Sequence, residues 1–445
     1  MVYGVGGVMA VEGELTVGTL LALAPLAAHR RTVVTVGAKN FSEQYILARL
    51  IGDRLVFYTP LTLDDELSTL PQLRRWRRDG DDDAFKPIAD HRNVFVPPAV
   101  AAAPDTIEAL HTVVNCDLTA PTLDCSATGM LGPESRTFYV SKTAVYVWLS
   151  DIWGWDHEED GRAASMVYRL PLGRGRPEAA MVRGAPVDQF SFREDSDARR
   201  LDVLVRSDGG GDAMWRSEFS EGEVALLQLP LSVFGDGRRE VASARYRWLP
   251  NPDANGWSFR NRFVGDHVIY GVESEQEDST DLVAARIDTD AVERFTLPHG
   301  LNRIEVLGKD ALVAGERGHD LMLSTVRLPE AGQPRLDDRL VLADRVEAES
   351  RSHAFFYRPQ ERSDGRSGVL GLPVGRISEG DEEDEAAPAI AFVSRRQREL
   401  QVLGDDAEVL VRLTRTSDED VTVATSPLNG GLLPMANGLS RLQTR

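Results

Sequence analysis

One motif recurs four times along this chain: an apolar residue, a glycine, a charged residue and then an alternating apolar strand. The four copies are LIGDRLVFY around Gly52, FVGDHVIYG around Gly265, VLGKDALVAG around Gly308 and VLGDDAEVLV around Gly404. In three copies an acidic turn residue follows the glycine, namely Asp53, Asp266 or Asp405. Glycine at such positions supplies the positive φ of a tight turn, so each copy predicts a β-hairpin.

The spacing of the copies constrains the fold more than the motif does. Gly265 and Gly308 are 43 residues apart, Gly308 and Gly404 are 96 apart, and Gly52 and Gly265 are 213 apart. These distances are multiples of about 43–48 residues, which is the repeat length of β-propeller blades. We therefore predict an all-β chain with a β-propeller over residues 52–430, of roughly six to eight blades with seven preferred.

Segments between the glycine motifs also alternate as strands do. TFYVSKTAVYVWL (137–149) predicts a hairpin, whereas LDVLVRS (201–207) and VLGLPVG (369–375) each predict one strand. Residues 431–445 lack this alternation, so an irregular tail is expected there.

The first 51 residues have a different pattern. Residues 1–30 form an apolar leader whose core, LTVGTLLALAPLAA, is shorter than the ~20 residues that cross a bilayer and lacks the basic residues that precede a signal sequence. Residues 31–51 predict a strand, RRTVVTVG, and then a helix, NFSEQYILARLI, with Asn40 as N-cap and Glu43 completing a capping box. A strand–helix leader is thus expected before the propeller, and membrane association through residues 1–28 stays open.

The net charge of −20 restricts the partners of the chain. Non-specific binding to nucleic acid needs a basic surface that releases counterions, so nucleic acid is excluded as a partner. Like charges also repel copies of the chain, which favours a monomer. The expected partner is a protein or small molecule bound at the mouth of the propeller channel.

The two cysteines, Cys116 and Cys125, leave two alternatives open. If the segment between them is a hairpin, they face each other and form a disulfide in an oxidising compartment. Otherwise they are two free thiols.

Few residues suggest chemistry. WGWDHEEDG contains four candidate ligands for a divalent cation such as calcium, namely Asp156, His157, Glu158 and Asp160. A solvated acidic loop is the alternative reading of this run. His353 in SHAFFYRP is expected to hydrogen-bond the backbone between blades. No cofactor is predicted.

Five phrases occur in order along the chain: LPQLRRWRRDGDDDAFKPIADHRNVFVPP, SRTFYVSKTAVYVWLS, APVDQFSF, LNRIEVLGKDALVAG and SHAFFYRP followed by GVLGLPV. In their order and spacing, from residue 52 to about 430, they resemble a family of bacterial and archaeal secreted proteins with a C-terminal β-propeller domain. The resemblance implies this fold and export to the periplasm, cell surface or medium. It implies no particular reaction.

Two shorter resemblances precede the propeller. Residues 33–55 contain a strand and then GAKNFSEQ, which resembles the N-terminus of solute-binding proteins of glycine betaine and choline importers. In that family the match implies ligand-binding roles at Lys39, Asn40, Phe41 and Glu43. Residues 1–28 resemble a fragment of the membrane domain of ABC exporters. Because no α/β lobes follow, a native leader and a fused segment both explain these short matches.

Three functions are consistent with the sequence. The first is an exported or surface-associated propeller that acts as a non-enzymatic binding module. The second is an osmoprotectant-binding component of an ABC importer, which depends on residues 33–55. The third is a metal-dependent propeller enzyme with a site at the channel mouth, which depends on the acidic loops.

Overall fold

A computed structural model describes residues 53–63, 86–119, 124–150, 165–173, 175–210, 219–252, 258–272, 279–348, 355–376 and 389–403, and the backbone of strands at 3–5, 20–22, 34–36, 47–51, 72–75, 411–415 and 421–425. The chain divides into two compact units, Met1–Trp248 and Leu249–Arg445. None of the helices in the described ranges is long and apolar enough to cross a membrane.

The described strands of the first unit are short and numerous. They are β1 Tyr3–Val5, β2 Leu20–Ala22, β3 Val34–Val36, β4 Leu47–Ile51, β5 Arg54–Thr62, β6 Gln72–Arg75, β7 Lys86–Pro87, β8 Val94–Phe95, β9 Ala109–Asp117, β10 Asp124–Gly132, β11 Arg136–Val140, β12 Ala144–Ser150, β13 Ser165–Pro171, β14 Glu178–Val182, β15 Phe192–Asp195, β16 Arg200–Gly210, β17 Phe219–Pro230, β18 Asp236–Glu240 and β19 Tyr246–Leu249. One short helix, α1, spans Pro98–Ala101, and 3-10 turns lie at His91–Asn93, Pro104–Thr106, Gln189–Ser191, Leu231–Val233 and Ser243–Arg245.

Most strands of the first unit form three larger sheets. Their orders are β4-β5-β9-β10-β8, β11-β12-β13-β14-β18 and β15-β16-β17-β19, beside two small sheets, β1-β6-β7 and β2-β3. The pairs β4–β5, β5–β9, β9–β10, β11–β12, β12–β13, β13–β14, β15–β16 and β16–β17 are antiparallel, whereas β8 and β18 join as parallel fifth strands. Strand β18 follows β17 in sequence but joins the preceding sheet, where it pairs with β14. The chain then adds β19 to the sheet of β15, β16 and β17.

The second unit repeats a simpler pattern. Its strands are β20 Phe259–Val264, β21 His267–Val272, β22 Thr280–Arg286, β23 Val292–Leu297, β24 Arg303–Leu307, β25 Asp310–Arg317, β26 Asp320–Arg327, β27 Arg335–Leu342, β28 Arg345–Glu347, β29 Phe356–Pro359, β30 Gly368–Arg376, β31 Ala389–Arg396, β32 Glu399–Val402, β33 Val411–Arg415 and β34 Val421–Thr425. They form the sheets β20-β21-β22-β23, β24-β25-β26-β27, β28-β30-β31-β32 with β29 also on β30, and β33-β34.

Burial within a sheet follows the order of its strands. In β25 and β26 six residues each are buried in a row, whereas β27 at the edge has mostly exposed or partly exposed residues. Continuous apolar strands are stable only when both faces of the sheet are covered. Such four-stranded meanders are propeller blades, and the six sheets of four or five strands in the described ranges confirm the all-β propeller fold.

The apolar core lies between successive sheets rather than in one centre. One cluster joins β24–β27 to β28–β32 through residues such as Leu312, Leu323 and Leu372. A second joins the sheets of β11–β14 and β15–β17 around Trp148 and Phe192. The middle large sheet of each unit, β11–β14 or β24–β27, therefore packs against a neighbouring sheet on both of its faces, which is the packing expected of a repeat fold.

The glycine motifs at Gly265 and Gly308 form the predicted hairpins. Val264 pairs with His267 and Leu307 pairs with Asp310, so each turn contains two residues. Both glycines have positive φ, 56° and 72°. The strands flanking Gly52 also pair, Ile51 with Arg54, while Gly52 and Gly404 themselves lie outside the described residues.

The helix predicted for residues 40–51 is wrong over its last five residues. Leu47–Ile51 is strand β4 and pairs antiparallel with β5. The apolar spacing in this stretch fits either period, and pairing with a long buried strand outweighs local helix propensity. The strand predicted just before it includes β3, Val34–Val36, which pairs with β2.

A disulfide links the hairpin β9–β10. Cys116 lies directly opposite Cys125 in the strand register, and the two sulfurs are 2.08 Å apart. Cys116 is buried and belongs to an apolar cluster with Leu55 and Val114. The bond therefore joins adjacent strands within the core of one blade.

Replacing both cysteines by alanine is expected to lower the free energy of unfolding by about 2–3 kcal/mol, because the bond closes a short loop in the unfolded chain. Urea titration of the oxidised wild type and the double variant measures this difference. Reduced wild type should behave like the variant. Coincident curves for all three samples would show that the bond does not stabilise the fold.

Candidate functional site

The first strands of three successive blades in the second unit carry paired charges. β20 contains Arg260 and Arg262, whereas β24 and β28 contain the pairs Arg303–Glu305 and Arg345–Glu347. Residues two apart on a strand point to the same face, so each pair projects together. We call these six side chains the first-strand charge cluster.

Ion pairs connect the three strands across the cluster. Arg262 of β20 contacts Glu305 of β24. Arg303 donates to Glu305 at 2.9 Å and to Glu347 of β28 at 2.5 Å. These side chains are 3–14% exposed, so the charges alternate in a largely desolvated row. Removing one member would leave its partner as a buried charge, which is costly.

Glu347 ends this row and is incompletely satisfied. Its Oε1 accepts from Arg303, while its buried Oε2 has no hydrogen-bond partner. Burial raises the pKa of Glu347, and the guanidiniums of Arg303 and Arg260 oppose that shift only in part. An ionised oxygen in this position is a strong acceptor that lacks a donor.

Arg260 has a donor atom that lacks an acceptor. It lies two residues before Arg262 on β20, is partly buried, and its Nε is buried without a hydrogen-bond partner. Its charge nevertheless acts on Glu347. The cluster thus leaves the buried Nε of Arg260 and the buried Oε2 of Glu347 without hydrogen-bond partners.

In a second buried group of charges, Asp310 is paired with arginine side chains of the protein. Asp310 accepts from Arg395 at 2.5 Å and from Arg398 at 3.0 Å. Arg395 also donates to the carbonyls of Leu307 and Gly365. These bonds join β25 to β31 and the turn before β30, so the group fastens two neighbouring blades to each other.

In the first unit, His111 is a buried polar residue with both ring nitrogens bonded. Its Nε2 is 2.8 Å from the carbonyl of Pro133, which can only accept, so Nε2 carries the proton. Nδ1 therefore accepts from the Tyr58 hydroxyl at 2.6 Å. Burial lowers the pKa of His111 to about 3, which keeps the ring neutral.

This histidine should make the fold sensitive to acid. The unfolded chain takes up the proton below pH 6.5 and the folded chain only near 3, so stability is complete above 6.5 and falls with pH towards 3. The loss should approach about 1.4 kcal/mol per pH unit. Urea titrations across this range should give a shallower slope for His111→Gln. Equal slopes would contradict the prediction.

The structure describes only part of the candidate residues chosen from the sequence. Lys39, Asn40, Phe41 and Glu43 lie outside the described residues, as do Asp156, His157, Glu158, Asp160, His353, Gly404 and Asp405. Asp53 and Asp266 are exposed turn residues. Within the described ranges, no group of three or more His, Cys, Asp or Glu side chains is placed to hold a metal.

Sequence reasoning missed the first-strand charge cluster, although a signal for it exists. Arg260 and Arg303 each lie five residues before a motif glycine, and Arg345 follows Arg303 by 42 residues. A charged residue repeating with the blade period, two positions from another charge, indicates that equivalent strands present charges to one another.

No family model matches the chain, and no curated protein matches it. Solved structures similar to it include TolB from Acinetobacter baumannii, with 11% identity, 85% of this chain and 88% of that chain covered, and a TM-score of 0.30. A post-proline cleaving enzyme from Rickettsia typhi has 8% identity, coverage of 79% and 52%, and a TM-score of 0.33. Oligopeptidase B from Leishmania major has 11% identity, coverage of 82% and 49%, and a TM-score of 0.31. The chain spans about half the length of these two enzymes. Similarity this distant carries no argument about function.

Proposed function

We propose that the chain is a non-enzymatic binding module whose ligand surface is the first-strand charge cluster. The observation that supports this is the buried Nε of Arg260, which has no hydrogen-bond partner, beside a row of ion pairs in which Arg262 and Arg303 have carboxylate partners. A buried polar atom without a hydrogen-bond partner costs free energy, and a bound group that supplies the missing acceptor would recover part of that cost.

The cluster suits binding because its groups are held in place before a ligand arrives. Arg262 is fixed by Glu305 on the next strand, and Arg303 is fixed by Glu305 on its own strand and by Glu347 on the next. A ligand that meets a preorganised site loses less free energy to the ordering of side chains. Rigid strands also position such groups more reproducibly than loops do.

We also propose that the chain works outside the cytoplasm, as an exported or surface-associated protein. The disulfide between Cys116 and Cys125 supports this, because such bonds persist in oxidising compartments. Fractionation of the native host, followed by alkylation of free thiols, tests the location and the redox state together. Recovery in the cytoplasm with both thiols free would oppose it.

Ligand-observed NMR with a library of defined small anions, cations, zwitterions and neutral solutes tests the binding role. At least one solute should bind the wild type and should bind Arg260→Gln at least about 10-fold more weakly. Arg358→Gln is a matched control, because Arg358 is exposed on β29 of the same unit. If no solute binds, or if Arg260→Gln binds like the wild type, the proposal fails.

A further inference from the structure

A tryptophan on the last strand of the first unit is open to solvent. Trp248 on β19 is 63% exposed, more than any other large apolar side chain in the described ranges. Tyr246 lies two residues earlier on β19, so its side chain points to the same face of the strand, and it packs against the apolar cluster of Trp148 and Phe192. Trp248 therefore lies beside the edge of an apolar cluster but remains in contact with water.

Arginines lie close to this tryptophan in the chain and in the fold. Arg245 is exposed and ends the 3-10 turn just before β19, so its Cα lies within about 11 Å of the Cα of Trp248. The Tyr246 hydroxyl accepts a hydrogen bond of 2.8 Å from the backbone N–H of Arg183, the residue after β14. The Arg183 side chain in turn donates to Glu240 of β18 at 2.7 Å. These bonds bring β14, β18 and β19 together on one surface.

The ion pairs of this surface leave an excess of positive charge. Both carboxylates of β18, on Asp236 and Glu240, have an arginine partner. Arg239 and Arg245 are exposed and have no ion-pair partner in the part of the chain that the structure describes. The surface is thus locally basic, although the net charge of the chain is −20. Arg183, Arg239, Arg245 and Trp248 are named the Trp248 patch.

The composition of the Trp248 patch is that of a protein-binding surface. Tryptophan and arginine are enriched among the residues that contribute most to the affinity of protein–protein interfaces. A single solvent-exposed ion pair contributes little free energy, so a small anion would bind such arginines weakly. A polypeptide segment with several carboxylates and an apolar side chain contacts the arginines and the tryptophan at the same time.

The position of β19 suits a segment in extended conformation. β19 ends the strand order β15-β16-β17-β19, and among the described strands it pairs with β17 alone. The outer side of an edge strand is a common place for an extended peptide to bind.

The charge of the whole chain argues for a peptide segment over an anionic membrane. At physiological ionic strength charges are screened beyond about 8 Å, so a bound peptide is affected mainly by the arginines that it touches. A flat anionic membrane meets a much larger area of a chain with a net charge of −20, which it repels.

We propose that the Trp248 patch docks an extended acidic segment of a partner protein, with an apolar side chain of the segment on Trp248 and its carboxylates on Arg239 and Arg245. The Trp248 patch shares no residue with the first-strand charge cluster. Failure of either proposal therefore leaves the other standing.

Fluorescence quenching tests the local charge without a partner. The emission that is lost in Trp248→Phe belongs to Trp248, and its quenching by iodide and by caesium is measured as a ratio. Replacing both Arg239 and Arg245 by glutamine should lower that ratio by at least about 2-fold, because the arginines attract iodide and repel caesium. An unchanged ratio would show that these arginines do not set the potential at Trp248 and would overturn the proposal.

Fluorescence anisotropy with labelled synthetic peptides tests the partner class on the full chain. The peptide EEDLFEED should bind at least about 10-fold more tightly than EEDGGEED, which lacks the apolar side chains, and than QQNLFQQN, which lacks the carboxylates. Equal affinity for EEDLFEED and either of the other two, or no binding of EEDLFEED, would overturn the proposal.

Variants locate the binding on the patch. Trp248→Ala, and the double replacement of Arg239 and Arg245 by glutamine, should each weaken EEDLFEED by about 10-fold or more. Arg176→Gln is the matched control, because Arg176 is exposed at the opposite end of β14 from Arg183, and it should leave the affinity unchanged. Circular dichroism and thermal midpoints check that each variant is folded, and the ranking of the three peptides on the wild type does not depend on any variant.

Two further measurements distinguish other occupants of the patch. If vesicles of phosphatidylserine and phosphatidylcholine bind through Trp248 while EEDLFEED does not, the patch is a lipid site and the proposal is wrong. If sedimentation shows a dimer that Trp248→Ala dissociates and EEDLFEED does not, the occupant is a second copy of the chain and the proposal is also wrong. A monomer that binds EEDLFEED and not the vesicles supports it.

Discussion

Replacing Asp310 by alanine is expected to lower the free energy of unfolding by about 3–5 kcal/mol. The side chain is 3% exposed and accepts from Arg395, which is fully buried, and from Arg398. It also accepts from the backbone N–H of Leu328 at 3.3 Å. Alanine would leave a guanidinium buried without its counterion, and two neighbouring blades would lose the group that fastens them together.

The residue next to it provides a matched control. Lys309 and Glu330 form an ion pair of 3.0 Å, and both side chains are largely exposed. Because solvent screens such a pair, Lys309→Ala should leave the unfolding midpoint almost unchanged. Urea titrations followed by circular dichroism compare the two variants with the wild type. Similar midpoints for both variants would show that burial does not determine the strength of the Asp310 pair.

Replacing Gly308 by alanine is expected to cost roughly 2–5 kcal/mol, from strain at positive φ together with overpacking. A Cβ at this position would lie 2.5 Å from the Cα of Gly365, and one on Gly365 would lie 2.4 Å from the Cα of Gly308. Two backbones meet here, so no side-chain rotation can relieve the contact.

Gly265 isolates the steric part of this effect. It occupies the same position of the same hairpin motif and also has positive φ, but a Cβ there would meet nothing within 4 Å. Gly265→Ala should therefore cost only about 1–2 kcal/mol, the penalty of the left-handed conformation. Thermal and urea unfolding of both variants measure the difference. Equal losses would mean that the contact with Gly365 relaxes without cost.

The features that were predicted from sequence are those that depend on a few adjacent residues. The turns at Gly265 and Gly308 need only a glycine between alternating strands, and residues 137–149 form β11 and β12 as expected. The repeat spacing extended this local information to the blade architecture. None of these predictions depends on which distant strands pair in the folded chain.

The features that were missed depend on distant partners. Leu47–Ile51 is a strand because β5 pairs with it, and periodicity over five residues does not reveal that partner. Arg262 and Glu305 are 43 residues apart and meet only because successive first strands converge. For Cys116 and Cys125 the sequence left pairing and free thiols open, and the register of β9 and β10 is what sets them opposite each other.

The returning strand β18 has a consequence for synthesis on the ribosome. It pairs with β14, which ends at Val182, yet β18 begins only at Asp236. At about 5–20 residues per second, the outer edge of the growing β11–β14 sheet would wait a few seconds or more for its fifth strand. During that interval its unpaired N–H and C=O groups are exposed to other nascent chains. Slow translation between these two strands would lengthen the interval and favour aggregation, so the timing of elongation becomes part of how this blade is made.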